Sequence, residues 1–211
     1  MPTSGPELDA LVARAQAGDL AAFEALVAAH FAQVRRYARA FEPQEADADD
    51  LAQEALLKVH RCLRQFRYQS SFSTWLFAVV RTTFLDALKS RSRRDRDLTR
   101  AIGPAEAEAP SEALPADEGL ERAEERDRLW RALRQVSVEF RSALVLYDLE
   151  GHAYDEVAAI EGVPVGTVRS RLSRGREQLR RALAQEAAGE GLAPPGTSGG
   201  TTSSHLRRSG S

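Results

Sequence analysis

The chain has 211 residues, of which 28% are charged and 43% hydrophobic, with a formal net charge of −2. This composition is typical of a soluble globular protein with one or two small domains. The longest apolar runs, such as 75–80, fall far short of the about 20 residues that a membrane-spanning helix needs. The start of the chain has no apolar segment typical of a signal peptide, and the single cysteine cannot form an internal disulfide. We therefore expect a cytoplasmic protein.

The first half of the chain predicts a compact helical domain, because its hydrophobic spacing has a period near 3.6 residues and no strand pattern is present. Asp19 is a candidate N-cap of one helix. Asp47 or Asp49 is the candidate N-cap of the next helix. A third helix is expected to begin at Ser73 or Thr74. The predicted core residues on these helices are Phe23, Leu26, Val27, His30, Phe31, Val34, Tyr37, Leu51, Ala55, Leu56, Val59, Leu63, Phe66, Trp75, Leu76, Val79, Val80, Phe84 and Leu88.

Two segments have compositions that favour disorder. Residues 101–121 contain six acidic residues, three prolines and no basic residue, so they cannot bury enough apolar area to offset the entropy of ordering. We predict a flexible acidic linker over 100–121, between a domain over 1–99 and a second helical domain over 122–186. Residues 187–211 are rich in Gly, Ser, Thr and Pro, which predicts a disordered tail.

Residues 154–176 have the spacing of a helix-turn-helix. Ala158 is a small residue where two helices can cross, Gly162 tolerates a left-handed turn, and Val168 can seat the second helix. Residues 163–183 contain six arginines and one acidic residue. Because the start of such a helix enters the DNA major groove, where arginine reads guanine, this pattern favours DNA binding over a helical hairpin with a solvated basic face. Two helices are predicted before this motif, the first marked by Trp130 and Leu133 and the next by Phe140, Leu144 and Tyr147. The second helix of the helix-turn-helix is predicted to bury Val168, Leu172, Gly175 and Leu179.

Several motifs in order resemble the extracytoplasmic-function (ECF) sigma factors. Residues 166–176, GTVRSRLSRGR, resemble the region-4 signature of this family. Residues 47–54, DADDLAQE, resemble the region-2.2 motif, and residues 72–77, FSTWLF, with Asp86, resemble regions 2.3 and 2.4. The resemblance implies an all-α protein, with a region-2 helical bundle and a region-4 helix-turn-helix. It also implies an alternative sigma factor that binds core RNA polymerase, recognises −10 and −35 promoter elements and promotes transcription initiation, with no enzymatic activity and no cofactor.

The resemblance also assigns two sets of site residues to the first domain. One acidic helix face would dock on the clamp coiled coil of the largest polymerase subunit, although a capped helix with a solvated acidic face gives the same pattern. This set is Asp47, Asp49, Asp50, Gln53 and Glu54. The following loop and helix would capture an unstacked base of the −10 element and follow its backbone. This set is Arg67, Tyr68, Gln69, Ser70, Ser71, Arg81, Thr82, Lys89 and Arg93, with Arg91, Arg94 and Arg96 beside it.

The third set lies on the second helix of the helix-turn-helix. The residues predicted to read the bases of the −35 element are Arg169, Ser170, Ser173 and Arg174. The residues predicted to hold phosphates or the fold are Thr167, Arg171 and Arg176.

Two other classes of function remain open at this point. A polymerase-independent helix-turn-helix regulator would explain residues 154–176, but it needs neither the motif at 47–54 nor the loop at 67–73. An enzyme such as a serine recombinase would need a nucleophile in an α/β domain, whereas the first half here is helical. The four histidines also have no metal-ligand spacing. The resemblance implies core RNA polymerase, promoter DNA and an anti-sigma factor as partners, and the last of these could hold the chain at a membrane.

Overall fold

The computed structural model describes residues 5–102 and 119–190, with side chains placed over 5–93 and 123–187. These ranges contain α1 (Pro6–Gln16), α2 (Leu20–Arg39), α3 (Glu45–Cys62), α4 (Phe72–Ile102), α5 (Gly119–Gln135), α6 (Val138–Leu144), α7 (Tyr154–Glu161) and α8 (Val165–Glu190). A 3-10 turn, Leu63–Gln65, follows α3, and a π-helical turn, Val145–Leu149, follows α6. The described residues include no strand, so the predicted all-α class is confirmed.

Helices α1 to α4 form an N-terminal unit around an aromatic core. The ring of Tyr37 stacks on that of Phe84 with centroids 5.4 Å apart, and it meets Phe77 edge-on at 5.8 Å. Such ring pairs add about 0.5–1.5 kcal/mol each beyond the apolar area that they bury. The predicted core of this unit is confirmed, because every residue of that set is buried or half-buried.

The predicted helix starts are partly right. Asp19 caps α2, since its Oδ1 accepts a hydrogen bond from the Ala22 N–H at 3.1 Å. The prediction of Asp47 or Asp49 as the next N-cap is wrong, because α3 begins at Glu45, whose carboxylate pairs with a guanidinium on α2. The prediction that α4 begins at Ser73 or Thr74 is also wrong. The helix begins at Phe72, and the preceding hydroxyl of Ser71 accepts from the Thr74 N–H at 3.1 Å.

Helices α5 to α8 form a C-terminal unit that contains the predicted helix-turn-helix, α7 and α8. Gly162 ends α7 with φ 66 and ψ 36, the left-handed conformation that the turn requires. Val168 of α8 is fully buried. Gly175 allows α8 to approach α6, because a Cβ at this position would lie 3.1 Å from Leu144 Cδ1. The helix-turn-helix prediction is therefore confirmed.

The predicted linker and tail lie largely outside the described residues. Helix α4 continues to Ile102 and α5 begins at Gly119, so residues 103–118 are not described. Helix α8 continues to Glu190, and residues 191–211 are not described. The disorder of both segments stays a prediction. Among the helices in the described ranges, none combines the length and the apolarity needed to span a membrane.

The two units pack against each other, mainly through α4 and α7. The hydroxyl groups of Tyr37 and Ser142 lie 2.7 Å apart, and both residues are buried. The guanidinium of Arg141 donates to the Ala40 carbonyl at 3.0 Å. Together with the other apolar contacts, these link both units into one continuous buried core.

Candidate nucleic-acid interface

The predicted polymerase-binding set divides into exposed and half-buried residues of α3. The exposed members, at spacings of three and four residues on one helix face, are Asp50, Gln53 and Glu54. Asp47 and Asp49 are half-buried, and Asp49 accepts hydrogen bonds from Arg35 of α2. Three of the five side chains are therefore exposed and available for contact with a partner.

An apolar residue lies on the same face of α3. Leu57 is 59% exposed, one helical turn after Gln53, and its neighbour Leu56 is buried. Sequence reasoning missed it, because two adjacent leucines do not reveal which one faces the core. The only available signal was its spacing of seven residues from Asp50, which places both on one helix face.

The predicted −10 loop between α3 and α4 lies over an aromatic cluster. Phe66 is buried, with its ring centroid 4.7 Å from Tyr68 and 5.3 Å from Trp75. Trp75 is half-buried and packs against the core, which confirms its predicted core position. The exposed side chains of the loop are Arg67, Tyr68, Gln69, Ser70 and Ser71.

A residue of α1 that sequence reasoning missed fixes this loop. Gln16 Nε2 donates to the carbonyls of Leu63 and Phe66, each at 2.9 Å, and its Oε1 accepts from the Tyr68 hydroxyl at 3.1 Å. Tyr68 has φ 57, a left-handed conformation that costs a non-glycine residue about 1–3 kcal/mol. The bonds of Gln16 hold the loop in this shape, with the Tyr68 ring 46% exposed.

The predicted −10 residues of α4 lie on two different faces. The exposed members, on one face, are Thr82, Lys89 and Arg93. Arg81 points about 100° away from them, with a side chain that is only 18% exposed and lies 3.8 Å from Glu161 of α7. The side chains of Arg94 and Arg96 lie outside the described residues.

The predicted base-reading residues all lie on the outer face of α8. The exposed side chains are those of Arg169, Ser170, Ser173 and Arg174. The guanidinium of Arg169 lies 5.7 Å from the ring centroid of Tyr154, which restrains it at the start of the helix. This arrangement places two guanidinium groups and two hydroxyl groups on one exposed face of the helix.

The three other residues of this set contact the protein itself. Arg171 Nη1 lies 2.6 Å from the buried carboxylate of Glu161. Arg176 forks onto Asp148 at 2.7 and 3.2 Å, and this hydrogen bonding raises the pKa of the Arg176 guanidinium. The Thr167 carbonyl accepts from the Ser170 hydroxyl at 2.9 Å.

Comparison with known proteins matches both units to one family. Residues 26–94 match Sigma-70 region 2, and residues 126–179 match Sigma-70 region 4. Over 173 residues the chain is 35% identical to the ECF RNA polymerase sigma factor SigM of Mycobacterium tuberculosis, covering 82% of this chain and 83% of that relative. The chain belongs to the ECF sigma factors.

Further relatives agree with this family. The ECF sigma factor is 37% identical over 177 residues to the RNA polymerase sigma-H factor of Pseudomonas aeruginosa, covering 82% of this chain and 92% of the relative. It is 35% identical over 173 residues to the ECF sigma-E factor of Escherichia coli K12, covering 80% of this chain and 90% of the relative. It is therefore an alternative sigma factor, a protein that acts with RNA polymerase in transcription initiation.

Two solved structures are also similar to this sigma factor. The sigma factor RpoE of Bartonella quintana, in complex with the anti-sigma factor NepR, is 26% identical with a TM-score of 0.61, over 77% of this chain and 96% of that one. CnrH, in complex with the cytosolic domain of CnrY, is 27% identical with a TM-score of 0.58, over 83% of this chain and 96% of CnrH. Both confirm the helical fold.

Region 2 and region 4 of this sigma factor meet at Glu156 of α7. Its carboxylate accepts hydrogen bonds from the Ala153 N–H, from Thr74 Oγ1 at 3.1 Å and from Ser71 Oγ at 3.3 Å. Burial raises the pKa of Glu156, but these bonds and the nearby His152 outweigh it and hold the pKa below its usual value. Sequence reasoning missed Glu156, because its partners lie more than 80 residues earlier.

Proposed function

We propose that this sigma factor uses three separate surfaces. The exposed face of α3 docks on core RNA polymerase, the loop at 67–71 with the basic face of α4 binds the −10 element, and α8 reads the −35 element. The observation that carries the proposal is the outer face of α8, where Arg169 and Arg174 are exposed while Arg171 and Arg176 are tied to carboxylates of the protein. In this organisation region 2 covers 1–99, a linker covers 100–121, region 4 covers 122–186 and a tail covers 187–211.

Polymerase docking combines charge with one apolar contact. Asp50 and Glu54 would meet basic residues of the clamp coiled coil, and because both side chains are exposed, their charges can steer the encounter with the polymerase. Leu57 adds apolar area at the same face, and full burial of a leucine side chain contributes about 1.5–3 kcal/mol.

Capture of the −10 element would rely on stacking at the loop. Tyr68 presents an exposed ring held in place by Gln16, and stacking one base on such a ring is worth about 1–3 kcal/mol. Breaking one DNA stacking step costs about 1.4 kcal/mol. A few contacts of this kind therefore balance local melting, and Lys89 and Arg93 would hold the adjacent phosphates.

We also propose where and with what the protein acts. It carries out no bond chemistry, and it works in the cytoplasm with core polymerase and promoter DNA. The similar structures of RpoE with NepR and of CnrH with CnrY support an anti-sigma factor as a further partner. A membrane-bound anti-sigma factor would hold this sigma factor at the membrane until its release.

Run-off transcription tests the proposal. Bacterial core polymerase is assayed on a library of promoter fragments with and without this protein, and we expect new initiation at a defined subset of fragments. Glu54→Lys should abolish this initiation, whereas the control Glu7→Lys, which makes the same change of charge at an exposed site on α1, should retain it. No initiation by the wild-type chain, together with sequence-specific DNA binding on its own, would instead identify a polymerase-independent regulator.

A further inference from the structure

Two tyrosines and two arginines form a cluster beside the helix-turn-helix. The guanidinium of Arg169 lies 5.7 Å from the ring centroid of Tyr154, the first residue of α7. The ring of Tyr154 lies in turn 4.5 Å from that of Tyr147, at an interplanar angle of 33°. Tyr147 also meets the guanidinium of Arg176, which is forked onto Asp148. Two rings in contact, the tyrosine pair Tyr147 and Tyr154, thus each lie against one arginine.

The π-helical turn after α6 contributes half of this cluster. The Glu150 N–H donates to the Val145 carbonyl at 2.9 Å, five residues earlier, which is the hydrogen bond of a π-helix. Tyr147 and Asp148 belong to this turn, and the half-buried ring of Tyr147 packs against the core. Turns of this kind are rare and often occur at functional sites. The turn therefore supports a functional role for the cluster independently of the ring contacts.

The two arginines predicted to read bases differ in how they are held. Both are exposed on the outer face of α8. Arg169 lies against a ring, whereas Arg174 makes no hydrogen bond, ion pair or ring contact with any residue that the structure describes. A guanidinium within about 6 Å of a ring centroid is attracted to the ring. Because a side chain that is already restrained loses less conformational freedom on binding, Tyr154 can assist one base contact and not the other.

We propose that the tyrosine pair positions Arg169 for base reading. Tyr154 holds the Arg169 guanidinium at the start of α8, and Tyr147 holds the ring of Tyr154. This inference rests on the proposed assignment of Arg169 to the bases of the −35 element. Since only the correct base offers Arg169 a contact, the restraint favours that base alone. The tyrosine pair therefore raises sequence preference at one position of the element.

Replacing Tyr154 tests the proposal in holoenzyme made from core polymerase and the full-length chain. Run-off transcription at limiting holoenzyme is measured on one promoter and on single base changes in its −35 element. Arg169→Ala and Arg174→Ala first identify, by loss of preference, the position that each arginine reads. Tyr154→Leu should lower the preference at the Arg169 position about two- to fivefold, the size of one exposed contact between a cation and a ring. The preference at the Arg174 position should stay unchanged.

Three further variants separate positioning from other roles of the ring. Tyr154→Phe keeps the ring and removes the hydroxyl group, so it should retain the wild-type preference at both positions. In the double variant Y154L/R169A the preference at the Arg169 position should equal that of Arg169→Ala, because no guanidinium remains to be held. Tyr147→Leu leaves Tyr154 in place and should give a smaller loss at the same position. This last variant tests the proposal even if Tyr154→Leu does not fold.

The restraint on Arg169 is also measured in the free chain, without DNA. The ring current of a tyrosine shifts the NMR signals of protons above its ring upfield. The side-chain signals of Arg169 should therefore move downfield in Tyr154→Leu and keep their wild-type positions in Tyr154→Phe. The side-chain signals of Arg174 should stay unchanged in both variants.

Separate results would overturn the inference and the proposed function. An equal loss of preference at both positions in Tyr154→Leu would overturn positioning, because it would show that the ring only supports the fold. A loss of the same size in Tyr154→Phe would assign the effect to the hydroxyl group instead. A gain of preference in Tyr154→Leu would show that the ring holds Arg169 away from DNA. If Arg169→Ala changes no base preference, the assignment of Arg169 to the −35 element fails, and the NMR result still stands as a measurement of the restraint.

Discussion

Replacing Arg174 by alanine tests how α8 reads the −35 element. The side chain is exposed and makes no hydrogen bond or ion pair with any described residue, so the free energy of unfolding should change by less than about 0.5 kcal/mol. A bidentate contact between arginine and guanine is worth about 1–3 kcal/mol. The variant should therefore lose about 5- to 150-fold in promoter affinity where the contacted base is present.

Arg176→Ala provides the matched comparison on the same helix. This guanidinium is forked onto Asp148 and lies 5.6 Å from the ring centroid of Tyr147. Because both partners of the ion pair are more than a third exposed, its loss should cost at most about 1 kcal/mol of stability. Any effect on promoter binding should be nearly equal for all −35 sequences, since the side chain is held by the protein.

The assay uses holoenzyme reconstituted from core polymerase and each variant. Initiation is measured on one promoter and on a series with single base changes in the −35 element, and thermal melting of the free variants controls for folding. Arg174→Ala should flatten the sequence profile at one position and leave the melting temperature unchanged. An equal loss on every sequence would refute base reading, because it would show that Arg174 contacts only the DNA backbone.

Three further predictions concern stability, each measured by urea denaturation. Gly162→Ala should cost about 1 kcal/mol, because φ 66 is strained for a residue with a Cβ although the surrounding space is open; an unchanged midpoint would contradict this. Arg141→Ala should lower the free energy of unfolding by about 3 kcal/mol, because the buried carbonyls of Ala40 and Val136 lose their donor. Arg141→Lys should recover only part of this loss, because an ammonium group cannot donate to both carbonyls in the geometry of a guanidinium. Full recovery of stability in Arg141→Lys would refute the argument. Burial lowers the pKa of His30 below 6.5, so the contribution of the neutral side chain to the free energy of unfolding is complete above about pH 6.5 and is lost as the pH falls through the folded-state pKa. Between pH 7.5 and 5 the free energy of unfolding should therefore fall less in His30→Gln than in the wild type. Parallel curves for the two proteins would contradict this.

Local patterns in the sequence were sufficient to predict most of the fold. The spacing of Ala158, Gly162 and Val168 gave the helix-turn-helix, because a left-handed turn and a buried anchor are local requirements. Asp19 was identified as a cap for the same reason, since its acceptor and its donor are three residues apart. The separation of exposed and buried residues on α8 followed from helical periodicity.

Features that depend on distant partners were not predictable in this way. Helix α3 begins earlier than predicted, and Glu45 in its first turn pairs with Arg39 on α2. The loop after α3 is fixed by Gln16, which lies about 50 residues before its acceptors. The partners of Glu156 are even more distant along the chain. Each of these contacts depends on how helices pack, and no single stretch of sequence contains that information.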